Sequence, residues 1–201
     1  MEPLQPSTYF HVYNHANGDE DLFRNPENYR YFLQQYHKHI DAIADTYAFC
    51  LMPNHFHLLV RIKSAEMLNL HLPGFKNLED AEAVSNLLSK RFSNFFNSYS
   101  KSFNKMYDRQ GSLFLKNFKR KPITELYYLI TCILYIHLNP VKHGFKLHPK
   151  DWESSSFHDF HLLRPGLLNS LFGNEEKYFE AHEEKIISYE SYEKTERYFL
   201  D

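Results

Sequence analysis

His55 and His57 stand two residues apart in C-L-M-P-N-H-F-H-L-L-V-R (residues 50–61), among Val, Leu and Phe that otherwise read as a buried strand. A strand rises about 3.3 Å per residue with a side-chain period of two, so both imidazoles share one face roughly 7 Å apart. That spacing suits two ligands of one metal ion, and it equally suits two structural histidines. Phe56, Leu58 and Val60 take the opposite phase and can pack while the pair faces a cleft. Tyr135 and Asn139 lie four residues apart in a segment with helical periodicity, on one face with Tyr128 and Thr131. A phenol becomes a nucleophile once its proton is removed, although Tyr135 taken alone reads more readily as a packing residue than as a nucleophile. Between residues 101 and 121, Lys101, Lys105, Arg109, Lys116, Lys119, Arg120 and Lys121 are opposed by Asp108 alone, with Phe114 and Phe118 interleaved. Cations hold phosphates and aromatic faces stack unpaired bases. An edge strand defended against aggregation by lysines gives the same pattern.

The elements that must position these groups follow from periodicity and punctuation. Residues 8–14, T-Y-F-H-V-Y-N, form a strand ended by A-N-G-D. Asn25 caps a helix with Pro26 at its first position, and Tyr29, Phe32, Leu33, Tyr36, Ile40 and Ile43 continue it to about residue 44. A second strand, 46–52, turns at Pro53-Asn54 into the histidine strand, and such a hairpin holds the pair rigidly. Residues 63–78, with Pro73 and Gly74, read as a loop with short helical turns. A long helix over 79–103 sets Val84, Leu87, Leu88, Phe92, Phe95, Phe96 and Tyr99 on one side. Its other side carries Lys90, Ser93, Asn94, Asn97, Ser98 and Lys101, either solvated or donating to phosphate. A turn at 108–111 leads into a fourth strand at 112–120, and residues 121–123 separate that strand from a helix capped by Thr124. Leu126, Leu129, Ile130, Ile133 and Leu134 form the apolar stripe of this helix, which Pro140 should end at Asn139. Residues 152–157 form a short docked segment whose serines cap a helix or touch DNA, and 175–201 read as an acidic, aromatic helix.

A chain of 201 residues with 18 Phe and 15 Tyr can bury one full core, so a single α+β domain is expected. Its catalytic part is placed at 1–160 and a C-terminal extension, packed on the same domain, at 161–201. Cys50 and Cys132 each sit in an apolar run and read as reduced thiols, which points to the cytoplasm. No basic leader followed by an apolar stretch opens the chain, and no run approaches the roughly 18 apolar residues of a membrane helix. The formal net charge of −2 hides the basic segment behind an acidic tail.

Three stretches together, M-P-N-H-F-H-L-L-V at 52–60, R-Q-G-S-L-F at 109–114 and Y-I-H-L-N-P-V-K-H-G at 135–144, resemble the single-tyrosine HUH transposases of small bacterial insertion sequences and their REP-associated relatives. The resemblance covers about residues 9–157, with the motifs in the same order. It implies a ferredoxin-like or RRM-like βαββαβ core: an antiparallel sheet with helices on one face, here followed by a C-terminal helical extension. It also implies Mg²⁺ or Mn²⁺ held by His55 and His57, with Tyr135 attacking single-stranded DNA. Insertion-sequence members commonly place Gln one turn after the tyrosine as third ligand; Asn139 stands there in this chain, as in the REP-associated branch. A second departure is His15, where relatives often carry Arg after the Asn, which leaves its role open. Lys101, Arg109, Lys116, Lys119, Arg120, Lys121, Lys142 and His143 are the residues expected to meet the DNA.

On this reading the enzyme cleaves and transfers strands bearing hairpin or palindromic ends through a 5′-phosphotyrosine, with no need for ATP. It acts as a homodimer if insertion-sequence-like and as a monomer if of the REP-associated type. Two imidazoles and an amide would also accept Zn²⁺, so the preference for Mg²⁺ or Mn²⁺ comes from the resemblance. The alternative is a non-catalytic DNA-binding regulator on the same fold. A metal-dependent hydrolase would need more acidic or histidine ligands than the motif region offers.

Overall fold

The computed structural model describes residues 2–72, 75, 80–164 and 166–187. The expected loop residues Pro73 and Gly74, the helix start at Glu79 and the end of the expected last helix, 188–201, lie outside the described residues. The core runs β1 (Tyr9–His15), α1 (Pro26–Ile40), β2 (Ala44–Met52), β3 (His55–Ile62), α2 (Ala65–His71), α3 (Ala81–Met106), β4 (Lys119–Ile123) and α4 (Leu126–Lys142). The strands make one antiparallel sheet in the order β2-β3-β1-β4, the ferredoxin-like βαββαβ arrangement that the sequence implied.

Period-two alternation divides the strands between two cores. Phe10, Val12, Phe56, Leu58 and Val60 face α1 and α3 and pack with Phe32, Tyr36, Phe92, Phe95 and Tyr99. The alternate residues, with Leu59 and Cys50 among them, face α4. The two helices of the βαββαβ unit thus cover one face. α4 covers the other with α5 (Phe160–Leu163), α6 (Leu167–Phe172) and α7 (Glu175–Ile187), through Phe160, Leu168, Phe172 and Tyr178. Both cysteines are buried and free. Among the described residues no helix is long and apolar enough to cross a membrane.

Local signals placed the start of α1 and the hairpin, but α1 ends at Ile40 and Ala44 already opens β2, short of the helix expected to about residue 44. Asn25 caps α1, its side chain accepting from the Asn28 N–H, with Pro26 in the first turn. Later boundaries moved. Residues 112–118 are not the fourth strand: Phe114 and Phe118 are drawn into the α3 core, Ala16 and Phe114 make only an isolated bridge, and pairing begins at Lys119. The supposed separator 121–123 is therefore strand, and Pro122 is tolerated because β4 is an edge. Glu125, not Thr124, is the N-cap of α4, and it makes no side-chain capping bond. Leu126, placed in the apolar stripe, is 62% exposed. α4 also passes through Pro140 to Lys142 instead of stopping at Asn139. Every residue from Thr131 to Pro140 is buried, so tertiary packing overrides the local bias of an X-Pro bond.

The serines of 154–156 neither cap a helix nor stand free. Ser156 N–H donates to the Phe49 carbonyl at 2.9 Å and Leu51 N–H to the Ser154 carbonyl at 2.8 Å. Phe49 N–H donates to Ser156 Oγ at 2.8 Å, so this segment covers the open edge of β2.

Candidate active site

The β2–β3 hairpin, turned at Pro53-Asn54, sets His55 and His57 on the α4 face of the sheet. Their rings lie 5.2 Å apart between centroids. α4 crosses above them, and because Tyr135 and Asn139 are one turn apart, both descend onto the pair. The Tyr135 ring meets His57 edge-on at 5.2 Å, and Asn139 Oδ1 lies 3.3 Å from His55 Nε2. Asn139 Nδ2 donates to the Tyr135 carbonyl at 2.9 Å, which aims the amide oxygen at the histidine. Lys142, two turns beyond Tyr135, carries its ammonium to 5.4 Å from the centre of the phenol ring. All four of His55, His57, Tyr135 and Asn139 are buried.

Burial dictates the charge state of this cluster. Loss of solvation pushes His55 down to about 3, with His143 adding to the effect, and pushes His11 down to about 3, assisted by Lys121. His57 is held well below the ordinary histidine range, first by burial and then by His11 and His55. All three are therefore neutral at physiological pH, the form that offers a lone pair to a metal. His55 Nδ1 lies 2.8 Å from Asn54 Oδ1, so with the amides as placed Nδ1 carries the hydrogen and Nε2 the lone pair. That lone pair faces the lone pairs of Asn139 Oδ1, whose own NH₂ is turned to Tyr135. Two acceptors aimed at each other fit a cation between them. Among the described residues no three of His, Cys, Asp and Glu gather at a metal site, so an ion here would rest on two imidazoles and one amide. This donor set fits a divalent cation.

The depressed values predict acid sensitivity. An unfolded histidine titrates near 6.5, so between about pH 6.5 and pH 3 the unfolded chain binds more protons than the fold, and stability must fall as pH falls. Each buried neutral histidine contributes a loss of about 1.4 kcal/mol per pH unit in that window. The urea midpoint is therefore expected to be lower at pH 5 than at pH 7; equal midpoints would contradict the neutral cluster.

Two further histidines belong to the cluster. His11 Nε2 lies 2.9 Å from His57 Nδ1, and its ring meets Tyr135 at 5.9 Å. His15, whose role the sequence left open, is paired across the sheet with His55 and stacks on it at 5.0 Å with the rings 8° from parallel. The signal for both was the alternation Tyr9, His11, Tyr13, His15, which places four rings on one face. The register that brings that face beside His55 and His57 is a property of the sheet.

The expected DNA-binding residues divide into three groups. Lys119 and Lys121 of β4 lie on the same sheet face as His11, and Lys142 and His143 close the far end, with the His143 ring 4.9 Å from His55. Lys101, Lys116 and Arg120 instead line a groove of about 660 Å³ between α3 and residues 111–118, on the opposite face of the sheet, with Asn86, Ser93 and Asn97. Within it Arg120 donates to Ser89 Oγ at 2.7 Å and to the Glu2 carbonyl at 2.5 Å. Arg109 departs from expectation. Its Nε binds Glu20, Nη1 donates to Asn104 Oδ1 at 2.9 Å and the Gly111 carbonyl at 3.3 Å, and Nη2 donates to Glu20 at 2.6 Å and the Ser112 carbonyl at 2.8 Å. All five guanidinium donors are engaged, so Arg109 ties down the loop after α3 and has none left for phosphate.

No family model matches the chain. Over 116 residues it is 28% identical to a Haemophilus influenzae protein whose name assigns it, provisionally, to the REP-associated tyrosine transposases. The match covers 57% of this chain and 59% of that relative's length. The fold is shared with a solved REP-associated tyrosine transposase bound to a REP hairpin, with a TM-score of 0.60 and 19% identity, over 82% of this chain and 86% of that one.

Proposed function

We propose that this chain is a metal-dependent DNA strand transferase, of the REP-associated tyrosine transposase kind, acting on single strands that carry hairpins. The observation that carries the proposal is the convergence of a phenol, Tyr135, with a three-donor set, His55, His57 and Asn139, from two separate elements. The relative and the structural neighbour named above support it. A divalent cation, Mg²⁺ or Mn²⁺, held by that set would act as a Lewis acid on the nonbridging oxygens of a phosphodiester.

The chain's own residues supply the rest. Tyr135 Oη, losing its proton, attacks phosphorus; the bond from phosphorus to the 3′-oxygen breaks, and that oxygen leaves as a 3′-hydroxyl after taking up a proton. The 5′-phosphotyrosine stores the bond energy, and attack by another 3′-hydroxyl reverses the step and joins strands. His11 and His57 wall the phenol, and Lys142 brings positive charge to where the phosphate must come. Tyr135 is only 2% exposed, so entry of DNA must uncover it. Lys119 and Lys121 on the edge strand lie between this cluster and the α3 groove, a path along which one strand can reach both faces.

The test is incubation of the protein with hairpin oligonucleotides and Mg²⁺ or Mn²⁺. A covalent adduct that survives denaturation and disappears with chelator is the expected result. Metal-dependent nicking absent on every hairpin offered would favour the regulator, and free 5′-phosphate ends without adduct a hydrolase. In the groove, Lys101→Gln and Lys116→Gln are expected each to lower the slope of log affinity against log salt by about 0.7, the value for one single-strand phosphate contact. Titrations at several salt concentrations check this; an unchanged slope in the double variant would place the strand elsewhere.

A further inference from the structure

The side of α4 away from Tyr135 holds a buried polar network that the chemistry above does not use. His137, two residues from both Tyr135 and Asn139, points about 200° around the helix from the nucleophile. It is fully buried, as is His182, and Tyr178 is 1% exposed. His182 Nδ1 donates to the Tyr178 carbonyl at 2.8 Å, which leaves Nε2 as an acceptor. His137 Nδ1 lies 3.2 Å from that Nε2 and 3.1 Å from Tyr178 Oη, so it carries the hydrogen. His137 Nε2 then accepts from Ser156 Oγ at 2.9 Å, and Ser156 Oγ in turn accepts from Phe49 N–H of β2 at 2.8 Å. Tyr178 Oη donates to the Phe157 carbonyl at 2.9 Å. One assignment of tautomers satisfies every member.

α4 needs such a device. From Thr131 to Pro140 it is buried all round and mainly apolar, and apolar burial is non-directional. A helix of this kind has no wet face to set its rotation, whereas hydrogen bonds to a histidine on its back do depend on rotation. A turn of the helix by a fraction of a residue would carry Tyr135 and Asn139 off the histidine pair. We infer that Ser156, His137, Tyr178 and His182 are positioning residues, a strap from β2 through α4 to α7 that fixes the rotation of the nucleophile helix. The inference rests on the strand-transfer reading, and it makes α7, in the C-terminal extension, part of the catalytic apparatus of the same chain.

The experiment compares single-turnover adduct formation on a hairpin oligonucleotide. In H137L/H182L the two histidines become apolar together while Tyr178 Oη keeps the Phe157 carbonyl at 2.9 Å and Ser156 Oγ keeps the Phe49 carbonyl at 3.3 Å, so the urea midpoint should hold close to the parent value, and hairpin Kd should stay within about threefold. Adduct formation should slow by about 10- to 100-fold, the penalty of a displacement of order 1 Å at the reacting atoms. His182→Gln, whose Oε1 can take the place of Nε2, should restore most of the rate, and His182→Asn, too short to reach, should not. Should the double variant fail to fold, the Gln and Asn variants decide alone. A parent-like rate in the double variant, or equal rates for Gln and Asn, would overturn the positioning role. Absence of adduct from the parent protein would instead overturn strand transfer itself, and the positioning role with it.

Discussion

Replacing Tyr135 with phenylalanine is expected to abolish the covalent protein–DNA adduct, by at least about 10⁴-fold in rate, while hairpin affinity changes by less than about threefold. Phenylalanine keeps the ring against His57 and His11 and beneath the Lys142 ammonium, so the packing and the positive charge of the site persist. Only the oxygen proposed to form the bond to phosphorus is lost. On the proposed function, binding is carried elsewhere, by cations on the β4 edge and in the α3 groove. A denaturing gel separates adduct from free strand, and filter binding reports affinity on the same samples. An adduct of undiminished yield in this variant would assign the nucleophile to another residue. Tyr128, also on α4, would be the first to examine.

The second large effect is expected from the histidine pair. His55→Ala removes the imidazole whose Nε2 lies 3.3 Å from Asn139 Oδ1, and His57→Ala removes the ring between His11 and Tyr135. Either change should lower Mn²⁺ affinity by at least about 100-fold, more than loss of a residue that only orients a ligand. Adduct formation should fall below detection, and it should not be restored by excess Mg²⁺. Calorimetric titration of the DNA-free protein with Mn²⁺ reads the first outcome independently of turnover. Parent-like Mn²⁺ binding in both variants would return the pair to a structural role. Asn139→Ala should weaken the metal less than either histidine change, because an amide oxygen is the poorer donor.

Much of this was legible in residue order. Period-two alternation placed His55 and His57 on one strand face, Pro53-Asn54 marked the hairpin, and Asn25-Pro26 marked the start of α1. Each is a short-range effect of backbone geometry on a few adjacent residues, so sequence suffices. The four-residue spacing of Tyr135 and Asn139 is local in the same sense. Errors gathered where tertiary forces outweighed local ones. Phe114 and Phe118 left the strand pattern because the α3 core buries them, and α4 ran through Pro140 because it is enclosed on nearly every side. Arg109 had the type and setting of a phosphate ligand, but Glu20, 89 residues away in sequence, takes it.

Residue order alone sets which side chains can do chemistry, and on which phase of which element they lie, because helix and strand periodicities are properties of the backbone. That these phases meet follows from packing between distant segments. Strand register set His15 against His55 and Tyr13 against His57, and the crossing of α4 over the sheet brought a phenol to an imidazole pair. The same packing also decided the charge state, since the neutrality of His11, His55 and His57 comes from burial among elements far apart in the chain. Desolvation and register are properties of contacts between distant segments, and no local pattern of residues encodes them.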